Sequence, residues 1–221
     1  VEVGVLPDMI TFTPDGTKIL VANEGEPNTD YTVDPEGSIS IIDLTPLASF
    51  MPPVVIHLNF NAFDSQMASL KAAGVRIYGP GATVSQDLEP EYIAVSADSQ
   101  MAWVSLQENN AYAIVDLSTP EVTAIVPFGY KDHSLAQNAF DSSNRLDFVF
   151  MSTWKTLGMY QPDGIATFNI DGTNYLITAN EGDSRDYDAY SEEERIKDID
   201  LDPVAFPNAE FLQEDENLGR L

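Results

Sequence analysis

The chain has 221 residues, 43% of them hydrophobic, and its 36 acids against 10 bases give a formal charge of -26. That length and apolar content suffice for a buried core and exclude a disordered acidic tail. The charge repels nucleic acid and anionic membranes over most of the surface and makes divalent cations the natural partners, although acidic surfaces also arise in soluble proteins adapted to salty water.

The first residues, VEVGVLPDMITF, contain neither a basic nor a long apolar leader region. A hairpin pattern follows: PDMITFTPDGTKILVANEG, from Pro7, reads as a short apolar alternation, an Asp-Gly turn, a second apolar run and a polar exit. Third and fourth strands are expected at SISIIDL, residues 38–44, and VVIHLNF, residues 54–60. Residues 61–74 then place Phe63, Met67 and Leu70 at helical spacing, with Gly74 as the stop. The hairpin pattern returns at Pro90 as PEYIAVSADSQMAWVSLQEN, followed by strands at AYAIVDL, residues 111–117, and EVTAIVPF, residues 121–128. A loop with a short helix is expected around KDHSLAQNAF. The third occurrence, PDGIATFNIDGTNYLITANEG from Pro162, leads into SEEERIKD, read as helical, and then DIDLDPVAFPNAEF, read as extended and broken by proline.

Self-similarity at this spacing announces a repeat architecture, and four antiparallel strands per unit is the make-up of a propeller blade. The expectation is therefore an all-β fold, a partial β-propeller of about three four-stranded blades with helical insertions. The blade units fall at about 7–60, 90–128 and 162–221, and the insertions at about 61–89, 129–161 and 183–210. A sandwich of short strands fits the same pattern.

In an antiparallel hairpin the start of one strand and the end of the next share an edge. Asp8 is thus paired with Glu24, Glu91 with Glu108 and Asp163 with Glu181, and if the first strand of each blade lines a central channel, these six carboxylates share one face. Glu89 and Asp183 stand next to the set. Crowded carboxylates repel unless something compensates, and an all-oxygen donor set suits Ca²⁺. The same acids at strand ends also fit a turn-capping role. With no cysteine and only His57 and His133, the donor set is a poor match for a structural zinc site. Residues 183–216 hold thirteen acids and three bases, a stretch that fits either a cation-binding loop or a solvated rim. DSRDYDAYSEEE is no EF-hand, because Arg185 and Tyr187 occupy ligand positions and Asp188 the place of the glycine. Asp198, Asp200 and Asp202 alternate as a possible second cation site, but Pro203 stands where the loop glycine belongs.

No nucleophile elbow or phosphate loop is present. Lys131, Asp132, His133 and Ser134 are consecutive, and sequence neighbours seldom face one another, so they read as a structural loop. Metal-assisted hydrolysis of a phosphate ester at the acidic cluster is the enzymatic alternative.

GVLPDMITFTPDGTKILVANEGEPN, AFDSQMASLKAAGVRIYGPGATVSQDLEPEYIAVS, GYKDHSL and LITANEGDSRDYDAYSEEERIKD resemble the choice-of-anchor I family. That family includes mesenchyme-specific cell-surface glycoproteins associated with biomineral formation, and its bacterial members are often labelled alkaline phosphatase-like. The resemblance implies an extracellular, periplasmic or cell-surface propeller, with further blades outside this stretch and contact with phosphate or mineral. It also raises the activity of calcium-dependent alkaline phosphatases of the PhoX type, whose whole catalytic set is not matched here.

Overall fold

The computed structural model describes residues 1–221. Its main strands, in chain order, are β1 (Pro7–Phe12), β2 (Lys18–Asn23), β3 (Ser38–Asp43), β4 (Val54–Asn59), β5 (Pro90–Val95), β6 (Met101–Leu106), β7 (Ala111–Asp116), β8 (Glu121–Pro127), β9 (Tyr130–Asp132), β10 (Leu157–Met159), β11 (Pro162–Ile170) and β12 (Thr173–Asn180). β1 to β4 form one antiparallel sheet in sequence order, and β5 to β8 form a second. β11 pairs only with β12, and β9 only with β10. The protein is mostly β, built from several small antiparallel sheets. Two of the expected four-stranded units are present, and the third appears as the hairpin β11–β12.

The strands sit where apolar residues alternate and the turns follow from side-chain chemistry. Thr13 Oγ1 donates to Asp15 Oδ1 at 2.6 Å in the first turn, and Ser96 Oγ donates to Asp98 Oδ1 at 2.6 Å in the second. Asp171 and Gly172, at φ 50° and 83°, make the tighter two-residue turn of the third hairpin.

All three hairpins share one irregularity. The register steps from Pro7↔Asn23 to Ile10↔Val21, from Pro90↔Leu106 to Ile93↔Val104, and from Pro162↔Asn180 to Ile165↔Thr178. Each step inserts one extra residue, a β-bulge, and a bulge re-aims the side chains it contains. The acids Asp8, Glu91 and Asp163 all lie inside it.

The chain divides into two units. In the first (residues 1–129, 160–183 and 187–190), Leu20, Ala22, Ile39, Ile41 and Leu58 of the first sheet share a core with Ile93, Ala102, Val104, Ala113, Val115 and Ile125 of the second. Asp15 N donates to Ser99 Oγ at 3.1 Å between these sheets. On the opposite face of the second sheet β11 packs along β5 and β6, where Ser105 Oγ donates to the Asp163 carbonyl at 3.0 Å and Thr167 Oγ1 to the Val95 carbonyl at 2.9 Å. The insertion helix is present as a 3-10 turn, Asn61–Gln66, running into α1 (Met67–Ala73), with Phe63 and Leu70 buried. Gly74, at φ 108°, donates to the carbonyls of Leu70 and Lys71 and ends it. A second helix, α2 (Val84–Asp87), begins at a capping box between Thr83 and Gln86.

The second unit (residues 130–159, 184–186 and 191–221) has a small core of Trp154, Leu212 and Leu218, with Phe140, Ile196, Leu201 and Phe206 around it. It holds β9, β10 and α3 (Ala209–Leu212). SEEERIKD, expected to be helical, keeps only a 3-10 turn at Ile196–Asp198. Gln213 Nε2 donates to the carbonyls of Ile196 and Ile199, and this tertiary contact overrides the local helical preference. No helix is long and apolar enough to cross a membrane.

Candidate functional site

The acids that the three bulges re-aim meet at one end of the first unit. Glu91 and Glu108 are both 9% exposed and Glu89 only 3%, so three glutamates are buried at the exit edge of the second sheet. The Glu91 and Glu108 carboxyl groups stand close enough to act directly on each other. Burial pushes Glu91 far above the ordinary glutamate range, and Glu108, Glu24 and Asp163 push it further. Glu24 is half-buried and raised from 4.5 to about 8, first by burial, then by the charges of Glu26, Asp8 and Glu108. Asp8 is raised by burial and by Asp163. Acids from all three hairpins therefore stand within electrostatic reach of one another.

Two tyrosines complete the surroundings. The Tyr187 phenol is raised by burial and by Glu89, Glu26, Tyr31 and Glu108. Its ring meets that of Tyr31 edge to face, centroids 5.4 Å apart, and Tyr190 meets Tyr31 in the same manner at 5.8 Å. Sequence spacing gave no reason to place Tyr31, Tyr187 or Glu26 beside Glu89 and Glu108.

The scaffold is polar and well connected. Asn23, fully buried, accepts from Gly4 N at 3.1 Å and donates to the Ser38 carbonyl at 3.2 Å and to Ser40 Oγ at 3.1 Å. The Asn of the first Asn-Glu-Gly step thus uses its side-chain carbonyl to hold the backbone at Gly4. Gly25 has φ +70°, and a Cβ there would lie 2.7 Å from the Glu36 carbonyl carbon, so this turn needs glycine. Asn109 plays the corresponding part in the second sheet, donating to the carbonyls of Arg76 at 2.7 Å and Asp87 at 2.8 Å.

The expected neighbours Asp8 and Glu24, and Glu91 and Glu108, are brought together. Asp163 instead acts on Asp8 and Glu91, while Glu181 and Asp183 are exposed. The donor chemistry, carboxyl oxygens throughout, fits a hard cation. The acids act on one another through close approach, with no three acid or imidazole groups disposed as a ready metal cage. Both histidines are engaged elsewhere. His57 Nδ1 meets Ser40 Oγ at 3.0 Å and His133 Nδ1 meets the Asn138 carbonyl at 2.7 Å. Ser134 Oγ donates to Asp132 Oδ1 at 2.7 Å, so the loop at 131–134 is organised by its own turn and not as a nucleophile with its base.

Repeated β-hairpins whose bulged acids crowd one end define a class of repeat β-protein with an acidic mouth. The whole chain, residues 1–221, matches the choice-of-anchor I domain, and the protein belongs to that family. The chain is 36% identical over 145 residues to the mesenchyme-specific cell surface glycoprotein of Strongylocentrotus purpuratus, a match covering 61% of this chain and 18% of the sea urchin protein. The chain thus spans under a fifth of the length of that curated relative. Among solved structures, Kuenenia stuttgartiensis hydrazine synthase aligns at a TM-score of 0.34 and 14% identity, over 55% of this chain and 36% of its own, too slight a likeness to define the fold.

Proposed function

We propose that this protein is a structural scaffold acting outside the cell or at its surface, and that its acidic mouth binds Ca²⁺. The setting rests on the family assignment over residues 1–221 and on the cell-surface relative. Three hairpins of one design, each bulged at the same step, support reading the first unit as part of a β-propeller.

One observation carries the cation reading: acids from three separate hairpins converge, and burial together with the neighbouring carboxyls raises the pKa of Asp8, Glu24 and Glu91. Without a counter-charge Glu24 and Glu91 hold protons at neutral pH. A divalent cation would displace those protons and compensate the charge. Asp8, Glu24, Glu91, Glu108 and Asp163 are the residues that would hold it, with Glu89 and Glu26 beside them. What the ion would supply is cohesion between the hairpins and a positive centre on an otherwise negative surface, through which phosphate or mineral could be engaged. Glu181 and Asp183 would join only after moving inward.

Thermal melting of chelator-treated protein with and without Ca²⁺ tests this. A site filled at one hundred times its dissociation constant adds about 2.7 kcal/mol to the folded state. Melting that ignores both chelator and Ca²⁺ leaves an acidic scaffold without a metal.

A further inference from the structure

The first and third hairpins leave their second strands through the same motif. Residues 22–31 read ANEGEPNTDY and residues 179–187 read ANEGDSRDY, and the tyrosines that close them, Tyr31 and Tyr187, are the pair whose rings meet edge to face. The second sheet lies between these hairpins, β5 packing against β1 and β2 and also against β11. Its own connection from β6 to β7 is short, residues 107–110, whereas residues 24–37 join β2 to β3. The loops that leave β2 and β12 therefore meet past the edge where a tight turn leaves the buried Glu89, Glu91 and Glu108, and the charges of Glu89 and Glu108 act on the Tyr187 phenol.

The half that carries Tyr31 is fixed at both feet. Glu24 N donates to the Leu6 carbonyl at 2.9 Å and Gly25 N to the Val5 carbonyl at 3.2 Å, while Gly37 N donates to the Ser85 carbonyl at 3.1 Å and Gln86 Nε2 to the Asp34 carbonyl at 2.8 Å. At the apex Asn28 Oδ1 accepts from Thr32 N at 2.9 Å and from Val33 N at 3.0 Å, and Tyr31 N donates to the Asn28 carbonyl at 2.8 Å. This loop holds Tyr31 at φ 52°, a left-handed conformation that a tyrosine keeps only where its surroundings impose it. Tyr31 is a post set in place by its own loop.

The half that meets the post is slight. Asp186–Tyr187 and Tyr190–Ser191 are two-residue strands paired with each other, and a hairpin of that size has little stability of its own. Its tip is seated on the post. Tyr187 and Tyr190 set their rings against Tyr31, at 5.4 and 5.8 Å between centroids, and Ala189 N donates to the Thr29 carbonyl at 3.1 Å.

We propose that the Tyr187–Tyr190 tip is a lid on the acidic mouth, latched on Tyr31, that opens without unfolding the sheets and admits cations to the buried glutamates. The lid is argued from loops and rings; the identity of the entering ion alone rests on the calcium reading above.

The Ala189 amide reports the latch directly. In metal-free protein its hydrogen exchange, followed by NMR, is at least about a hundredfold faster than that of the β2 and β6 amides, because the lid opens locally. Tyr31→Ala speeds it at least about tenfold more and raises carbodiimide labelling of Glu89 and Glu108 relative to the exposed Glu121, with β1 to β8 exchanging as in the parent. Tyr31→Phe keeps the rings and matches the parent. Should Tyr31→Ala disturb the sheets, Tyr190→Ala, which takes one ring from the tip, is read in its place. With Ca²⁺ bound, a chelator strips the ion from the Ala variant faster than from the parent.

Ala189 exchange as slow as that of β6 overturns the lid. So does unchanged labelling in a folded Ala variant, labelling raised equally by Tyr31→Phe, or bound Ca²⁺ released at equal rates from variant and parent. Protein that binds no Ca²⁺ yet shows the exchange and labelling changes supports the lid and removes the calcium reading alone.

Discussion

Replacing Glu91 by glutamine keeps the shape of the side chain and removes its dissociable proton. In metal-free protein the folded state holds this carboxyl protonated, because burial, Glu108, Glu24 and Asp163 all penalise the anion. The unfolded chain releases the proton near the ordinary value of 4.5. A raised folded pKa means that the group's contribution is fully present below pH 4.5 and declines as pH climbs toward the folded value. Each pH unit in that window costs about 1.4 kcal/mol, hence up to about 3 kcal/mol by pH 7. Water at the mouth and structural relaxation reduce this to about 1–2 kcal/mol. Urea denaturation in chelator is the assay. At pH 5 the Glu91→Gln variant matches the parent within about 0.5 kcal/mol, and at pH 8 it is the more stable of the two by about 1–2 kcal/mol. In saturating Ca²⁺ the order reverses, since the variant has lost a ligand. The reasoning fails if the parent gains stability relative to the variant between pH 5 and pH 8 in chelator, or if the variant is weakened equally at both.

Two backbone positions of the same dihedral separate strain from collision. Gly25→Ala meets φ +70° and the Glu36 backbone together and costs about 3 kcal/mol, while Gly16→Ala, at φ +70° with nothing within 4 Å, costs about 1 kcal/mol, both read from urea midpoints. Asn23→Ala removes the bonds to Gly4, Ser38 and Ser40 from a fully buried site, so thermal unfolding shows a loss of about 2–4 kcal/mol.

Strand positions were legible because alternation and Asp-centred turns are local. β3 and β7 end at Asp43 and Asp116, where aspartate side chains claim the next backbone amides. The helical stop at Gly74 was legible for the same reason. The bulges were not, since one extra residue in a ladder leaves no mark on composition, and yet they aim Asp8, Glu91 and Asp163. Strand-edge logic named acids that the structure brings near one another without seeing the bulges that aim them, and Glu181 lies exposed at the end of β12, which has no third strand beside it. The segment after Gly182 was read as an insertion over about 183–210 within the third unit, with its packing left open. Much of it folds around Trp154, Leu212 and Leu218, a packing decided by residues distant in sequence. Tyr31 and Tyr187 were hidden for that same reason.

Calorimetric titration of Ca²⁺ into chelator-stripped protein at pH 7, repeated in buffers of different ionisation enthalpy, counts ions bound and protons released together. The convergence of Asp8, Glu24, Glu91, Glu108 and Asp163 predicts saturable uptake with release of about one or two protons per ion, both diminished in Glu24→Gln and Glu91→Gln. Uptake without proton release, or no uptake at millimolar Ca²⁺, would contradict it.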